Sequence, residues 1–205
     1  METQTKVFAS SFSPDGRVLV YFHIKTDGGG DIYTLNLDLT DPDHPQAGQP
    51  RLFQSNPNLQ GTPARSSIAR ISPDGRWMAY TLQEAGKGRI YVRPFPSRSG
   101  KWLVVSGGNY PIWAANGREL SYENEDYRIM VVDYTVDGDA FVPRTPRLWC
   151  DKSIFYLGGQ NLDLAPDGRR FAILTDPASA PEAKSSSVHV TMLLNFFDEL
   201  RRRIP

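Results

Sequence analysis

Three histidines, one cysteine and two aspartates flanking a glycine run are the residues of this 205-residue chain best suited to holding a metal. Zinc needs ligands that converge on one tetrahedral point, and in a sequence that convergence appears as close, paired spacing. The histidines do not provide it. His23 extends a strand-like run, His44 sits in the proline-rich "DPDHPQ", and His189 falls at a repeat position held elsewhere by Tyr33, Tyr91 and Met130. Cys150 stands alone, which leaves neither a disulfide framework nor a Cys-rich metal site. "DGGGD" at 27–31 sets Asp27 and Asp31 around glycines, but it has too few acidic ligands for a calcium loop and reads better as a turn between two strands. No metal or cofactor is expected.

Covalent chemistry has equally little support. The chain has no G-x-S-x-G elbow and no Ser/His/Asp order that can be localised. It also lacks a glycine-rich phosphate loop, a His-Arg-Asp motif and an Asp-Phe-Gly motif, so it cannot itself transfer phosphate. Lys plus Arg and Asp plus Glu number 23 each, leaving no net field to gather nucleic acid or an anionic membrane surface. The one basic run is "RRR" at 201–203. No apolar stretch approaches the roughly 18 residues of a membrane span, and "METQTKVFAS" lacks the pattern of a signal peptide.

The architecture is far more legible. Nearly the same phrase occurs four times: "SSFSPDGRVLVYF", "IARISPDGRWMAYT", "YPIWAANGRELSYE" and "LDLAPDGRRFAIL". Aligned on Gly16, Gly75, Gly117 and Gly168, the units place Pro14, Pro73, Ala115 and Pro166 two residues earlier, and an arginine follows each glycine. Pro pre-sets the first central turn position, Asp or Asn tolerates the second, and Gly supplies the left-handed residue. The strand after the turn alternates. Leu19, Met78, Leu120 and Phe171, then Tyr21, Tyr80, Tyr122 and Ile173, form one face; Val20, Ala79, Ser121 and Ala172 form the other. Large residues on one side and small ones on the other suit a sheet packed on both faces.

A third strand follows as "DIYTLNL", "RIYVRPF", "RIMVVDY" and "SVHVTML", and a fourth as "RLFQS", "KWLVVS" and "RLWCD". The turn glycines fall 59, 42 and 51 residues apart. Four-stranded units of about 40–45 residues are the pattern of β-propeller blades. The expected fold is therefore all-β: four antiparallel blades at about 7–56, 64–106, 110–151 and 160–195. The last is incomplete and leads into a short C-terminal helix at 195–203, capped by Asn195. Phe12, Ile71, Trp113 and Leu164, which share one repeat position, are expected between blades. Trp77, Trp102 and Trp149 also read first as packing residues.

These phrases resemble the TolB-like, WD-repeat-like propeller repeats of bacteria, whose blades carry an "SPDG" turn before the second strand. "RIYVRPFP", "PIWAANGRELSY", "VVDYTVDG", "NLDLAPDGRRFAIL" and "LLNFFDELRRRIP" resemble more narrowly the C-terminal propeller of acidobacterial-type serine/threonine kinases. That resemblance implies a kinase domain and a membrane helix ahead of an outer propeller, with this chain as the sensor or scaffold portion. A place outside the cytoplasmic membrane follows if the chain belongs to such a kinase, and a cytoplasmic one if it stands free.

In a propeller, the connections between blades and the second-to-third strand turns open on one face. Here that face would gather Asn109 and Tyr110, Glu125, Asp126 and Tyr127 of the "NEDY" loop, and Tyr156. Rigid aromatics beside adaptable polar groups make good protein contacts. Four blades with an incomplete last one read either as a fragment of a larger ring or as an arc whose open edges, with backbone donors and acceptors unpaired, pair with another copy; a homo-oligomer, in the simplest case two copies making eight blades, is expected. The expected function is non-catalytic binding or scaffolding of a protein or peptide. The enzymatic alternative is a propeller hydrolase or lyase with its site at the channel mouth.

Overall fold

A computed structural model of the chain describes residues 6–25, 29–41, 43–56, 68–96, 99–154, 160 and 162–173. The chain divides into two units, Met1–Leu174 and Thr175–Pro205. The second unit lies outside the described residues. So do the expected third strand of the fourth repeat and the expected helix at 195–203.

The first blade runs β1 (Lys6–Phe12), β2 (Val18–Ile24), β3 (Gly30–Asp38), the two-residue β4 (Gln46–Ala47) and β5 (Arg51–Asn56). The second is β6 (Ala69–Ile71), β7 (Trp77–Glu84), β8 (Lys87–Pro94) and β9 (Trp102–Ser106). The third is β10 (Gly108–Trp113), β11 (Glu119–Asn124), β12 (Arg128–Asp137), β13 (Ala140–Pro143) and β14 (Arg147–Ser153). Of the fourth, the described part is the hairpin of β15 (Leu162–Leu164) and β16 (Phe171–Ile173). Every pairing is antiparallel, and each blade is a meander from its first strand outward. β4 and β13 are additions to the expected pattern. Each pairs with the far end of a long third strand, whose near end carries the regular fourth strand.

The four turns close as the sequence predicts. The glycine nitrogen donates to the carbonyl three residues back in each: Gly16 to Ser13, Gly75 to Ser72, Gly117 to Ala114 and Gly168 to Ala165. In the first two turns a serine adds a clamp. Ser72 Oγ donates to Asp74 Oδ1 and accepts the Trp77 N–H, while Asp74 Oδ1 also accepts from Arg76 N. Ser13 and Asp15 repeat this arrangement, and the Ser13 hydroxyl and then the Arg17 N–H hold the Asp15 carboxyl below its usual range. Gly75 has φ +72°, and an added Cβ would meet nothing nearer than the Pro14 ring at 3.7 Å. Space is therefore not the constraint there. Gly75→Val should cost about 1–2 kcal/mol through the left-handed backbone alone, and an unchanged thermal midpoint would refute this account of the turn.

Alternation sets how blades stack. Val20, Phe22 and Ile32 of the first blade pack on Ile71, Met78, Tyr80, Leu82 and Tyr91 of the second. Trp77, Ala79, Ile90 and Val92 on its other face meet Trp113, Leu120, Tyr122, Tyr134 and Phe141 of the third. Ile112, Ile129 and Ile154 then meet Leu162, with Leu164, Phe171 and Ile173 beside them. In each blade the large-residue face leads and receives the small-residue face of the blade before. Burying each such aliphatic side chain contributes about 1.5–3 kcal/mol.

One expected core residue is not in the core. Ile71 and Trp113 are buried and Leu164 is partly buried, but Phe12 at the same position is 57% exposed. It sits on the leading face of the first blade, and among the described residues no blade covers that face. Trp149 is likewise half-exposed, edge-on to Phe171 at 4.7 Å.

Candidate functional site

The end of the blades opposite the glycine turns carries the expected contact loops. The β7–β8 turn uses Ala85 and Gly86, both with positive φ, as a tight two-residue hairpin requires. The β11–β12 turn is longer. Asn124 Oδ1 accepts from the N–H groups of Asp126 and Arg128, and Tyr127 N donates to Asn124 O. This wraps Glu125 and Asp126 into a turn closed by Tyr127 at φ +58°. Tyr127 O in turn accepts from Ile154 N at 2.6 Å, which ties the loop to the end of the third blade.

The loops of the second and third blades join on this face. Lys87 Nζ lies 3.2 Å from Glu125 Oε2, with both side chains more than half exposed. Gly107 N donates to Gly88 O, and Gln83 Nε2 donates to Asn109 Oδ1 at 3.2 Å. Beneath them Gln83 and Glu123 are buried, the latter across from Asn109 in the β10–β11 ladder. The result is a polar platform fixed from below and open above.

Five of the six residues expected on the contact face are described, and four of them surround this junction. Glu125, Asp126 and Tyr127 are exposed, and Asn109 is partly exposed, spanning the blades. Tyr110 differs. It is 3% exposed, with φ +56° at an irregularity in the β10–β11 register between Asn109 and Ile112, so its ring is turned inward. A local reading of "GGNY" as an open loop cannot anticipate that bulge. Tyr156 lies outside the described residues. Ala85, Tyr110 and Tyr127 are the positive-φ non-glycine residues among those described, and all three lie at this end of the second and third blades.

The polar groups considered for metal binding are engaged otherwise. Asp31 is buried, 3.3 Å from Lys25 Nζ, and accepts from Ser55 Oγ. His23 packs against Tyr33, and His44 pairs with Asp41 on an exposed loop. Asp27 and His189 lie outside the described residues. Among the described residues no three His, Cys, Asp or Glu side chains converge. No helix there is long and apolar enough to cross a membrane.

A cleft that no local motif marks opens at the glycine-turn end, between the first and second blades. It has a volume of about 640 Å³ and is lined by Asp15, Arg51, Phe53, Asp74, Arg93 and Phe95 among others. The Arg93 guanidinium lies 4.9 Å from the Phe53 ring and donates to Phe53 O and Gln54 Oε1. These residues come from two blades and meet only when the blades stack. Burial pushes the Tyr80 hydroxyl up, and pushes Tyr134 up to about 12.

No protein-family profile matches the chain. Among solved structures it resembles TolB from Acinetobacter baumannii, with a TM-score of 0.57 and 16% identity, covering 86% of this chain and 39% of that one. A putative TolB from Agrobacterium tumefaciens gives 0.48, 19%, 72% and 52% for the same quantities. The β-propeller domain of the Trilobed protease from Pyrococcus furiosus gives 0.47, 13%, 71% and 43%. The chain thus spans about two-fifths of the length of the Acinetobacter TolB it overlays. The fold is that of a β-propeller, TolB-like in its blades.

Proposed function

We propose that this chain is a non-catalytic binding and scaffolding module that engages a protein or peptide through the loop face of its second and third blades. Left-handed Tyr110 and Tyr127 at that face carry the reading, while Ala85 beside them is explained by its two-residue hairpin. Non-glycine residues in this conformation cost on the order of 1–3 kcal/mol each and persist where surrounding structure holds them for a purpose. Tyr127 is the exposed member, flanked by Glu125, Asp126 and Lys87, which is an aromatic anchor with a charged rim. The kinase-like phrases in the sequence support a narrower version, in which the module is the propeller portion of a bacterial sensor kinase. An in-frame kinase domain upstream of the Met1 codon would test that version.

The binding role is tested by selecting displayed peptides on the intact chain and measuring their affinity for Tyr127→Ala and Glu125→Lys variants. Removing a central tyrosine anchor should weaken selected peptides about 30-fold or more, equivalent to roughly 2 kcal/mol. Peptides that bind both variants as well as the parent would refute this face. Turnover in a hydrolase-substrate screen that survives repurification would refute the non-catalytic role.

A further inference from the structure

The cleft between the first two blades, at their glycine-turn end, is lined by charges of both signs that do not pair with one another. Two are cationic. Arg51 on β5 stands opposite Thr34, and Thr34 opposite Val20, on the face that packs on the second blade. Arg93 on β8 stands opposite Met78, on the face that packs on the first. Both arginines therefore face the same gap. Arg93 is held from across it, because its Nη1 donates to Phe53 O and Gln54 Oε1 of β5. The cationic groups thus gather on the β5 side of the cleft.

Asp15 and Asp74 are the anionic groups. They belong to the glycine turns of the two blades, and these turns abut: the Pro14 ring lies 3.7 Å from where a Cβ on Gly75 would stand. Each carboxylate uses Oδ1 for its own turn, accepting from a serine hydroxyl and from the N–H two residues on. Among the described residues none of these four charges joins an ion pair, and the arginines that do are Arg89, Arg147 and Arg170. Separation is the cause. The Asp15 turn leads into β2, and β5 lies two strands further out, about 10 Å at the usual strand spacing. Between the two sets of charges the cleft is aromatic, with Phe53 and Phe95 tilted at 6.3 Å.

We infer that this cleft binds a short free peptide of about three residues, the span that three extended residues reach being about 10 Å. Its amino terminus lies at Asp15 and Asp74, its carboxylate at Arg51 and Arg93, and an apolar side chain on Phe53 and Phe95. Each end gains charge-assisted hydrogen bonds, and the planar arginine fork suits a carboxylate. The cleft volume of about 640 Å³ falls within the range of small-ligand sites, roughly 300–1,000 Å³. A longer chain would carry one terminus out of the cleft, and a singly charged ligand would satisfy only one side.

Isothermal titration of the full chain with Ala-Phe-Ala and Ala-Leu-Ala tests this. Both should bind, and N-acetylation or C-amidation should each weaken binding about 10-fold or more. Asp15→Asn combined with Asp74→Asn should weaken the free peptides to the same degree and leave the N-acetylated ones unchanged. The turns tolerate that change, since Asn116 Oδ1 accepts from Arg118 N in the third turn as Asp74 Oδ1 does from Arg76 N. Arg51→Gln should weaken the free peptides and leave the C-amidated ones unchanged. A variant that merely loosened the blades would weaken every form alike. Tyr127→Ala, at the opposite end of the blades, should alter none of these affinities, so this inference and the loop-face reading stand or fall separately. No binding of either tripeptide at millimolar concentration, blocked peptides that bind as well as free ones, or variants that weaken all forms equally would each overturn the inference.

Discussion

Truncating Phe141 to alanine should destabilise the stacked blades by about 3–5 kcal/mol, the range for removing a fully buried aromatic side chain. Phe141 is 1% exposed and lies on β13, across from Val136. Its ring centroid is 4.5 Å from Tyr134, 5.5 Å from Trp77 and 6.1 Å from Trp113. It therefore belongs to the third blade yet touches the first residue of the second strand in the second blade. Its removal leaves a cavity lined by rigid rings that belong to two sheets, and these cannot collapse inward without moving a blade. The thermal midpoint should fall by roughly 10 °C for a chain of this size. Val142→Ala, at the neighbouring and exposed position, should shift stability by no more than about 0.5 kcal/mol. Equal shifts for the two variants would show that β13 does not join the blades.

Gly88→Ala should be the most damaging single-methyl addition among the described residues of the contact face. Gly88 does not need a left-handed backbone, and its constraint is space. A Cβ there would collide with Asn109 Oδ1 and lie 2.6 Å from Gly108 O. The Asn109 amide can swing away, at the cost of its bond from Gln83. The Gly108 carbonyl is backbone and cannot move without shifting the start of β10, where Gly107 N also donates to Gly88 O. Overpacking of this kind costs about 1–3 kcal/mol, and here it should also loosen the second blade from the third. The Asn109→Gly change should rescue only part of the loss, because it relieves the side chain and leaves the carbonyl in place. Full rescue, or no loss at all in denaturant unfolding of Gly88→Ala, would contradict the close approach.

What could be read from the sequence was whatever neighbours along the chain decide. The turns at Gly16, Gly75, Gly117 and Gly168, the strands beside them and the large/small alternation of the second strands are local facts, and the structure repeats them. Trp77 and Trp113 went to the core as expected. Whatever needs a second blade stayed hidden. Phe12 has the same local context as Ile71 and a different exposure, because burial depends on what is stacked above it. Tyr110 turned inward through a bulge, and the Arg93–Phe53 cleft exists only between sheets. β13 stands between these cases. Its "VDGDA" carries a Gly-Asp hairpin signal, with Gly138 at φ +58° and Asp137 paired across the turn with Ala140, which stands outside the fourfold repeat. The "NEDY" turn was legible because turn residues act locally, and the left-handed backbone of Tyr110 and Tyr127 was not, because outside glycine the sign of φ has no clear marker in the sequence.

The serine clamp of the first two glycine turns has a consequence for how such a chain assembles. Ser72 and Asp74 satisfy their turn entirely from within one hairpin, as do Ser13 and Asp15, while Ala114 and Ala165 bring no hydroxyl, so the later turns keep the Asn116 and Asp167 bonds from Arg118 N and Arg169 N but lack the serine half of the clamp. Early hairpins can therefore form from contacts a few residues apart, well before any sheet is stacked, and short-range contacts form fastest. Folding would start near the amino end and spread by accretion, each finished sheet templating the next, as in other quasi-one-dimensional repeats. During synthesis the clamped hairpins also emerge first, so the order of translation and the order of local strength run in the same direction.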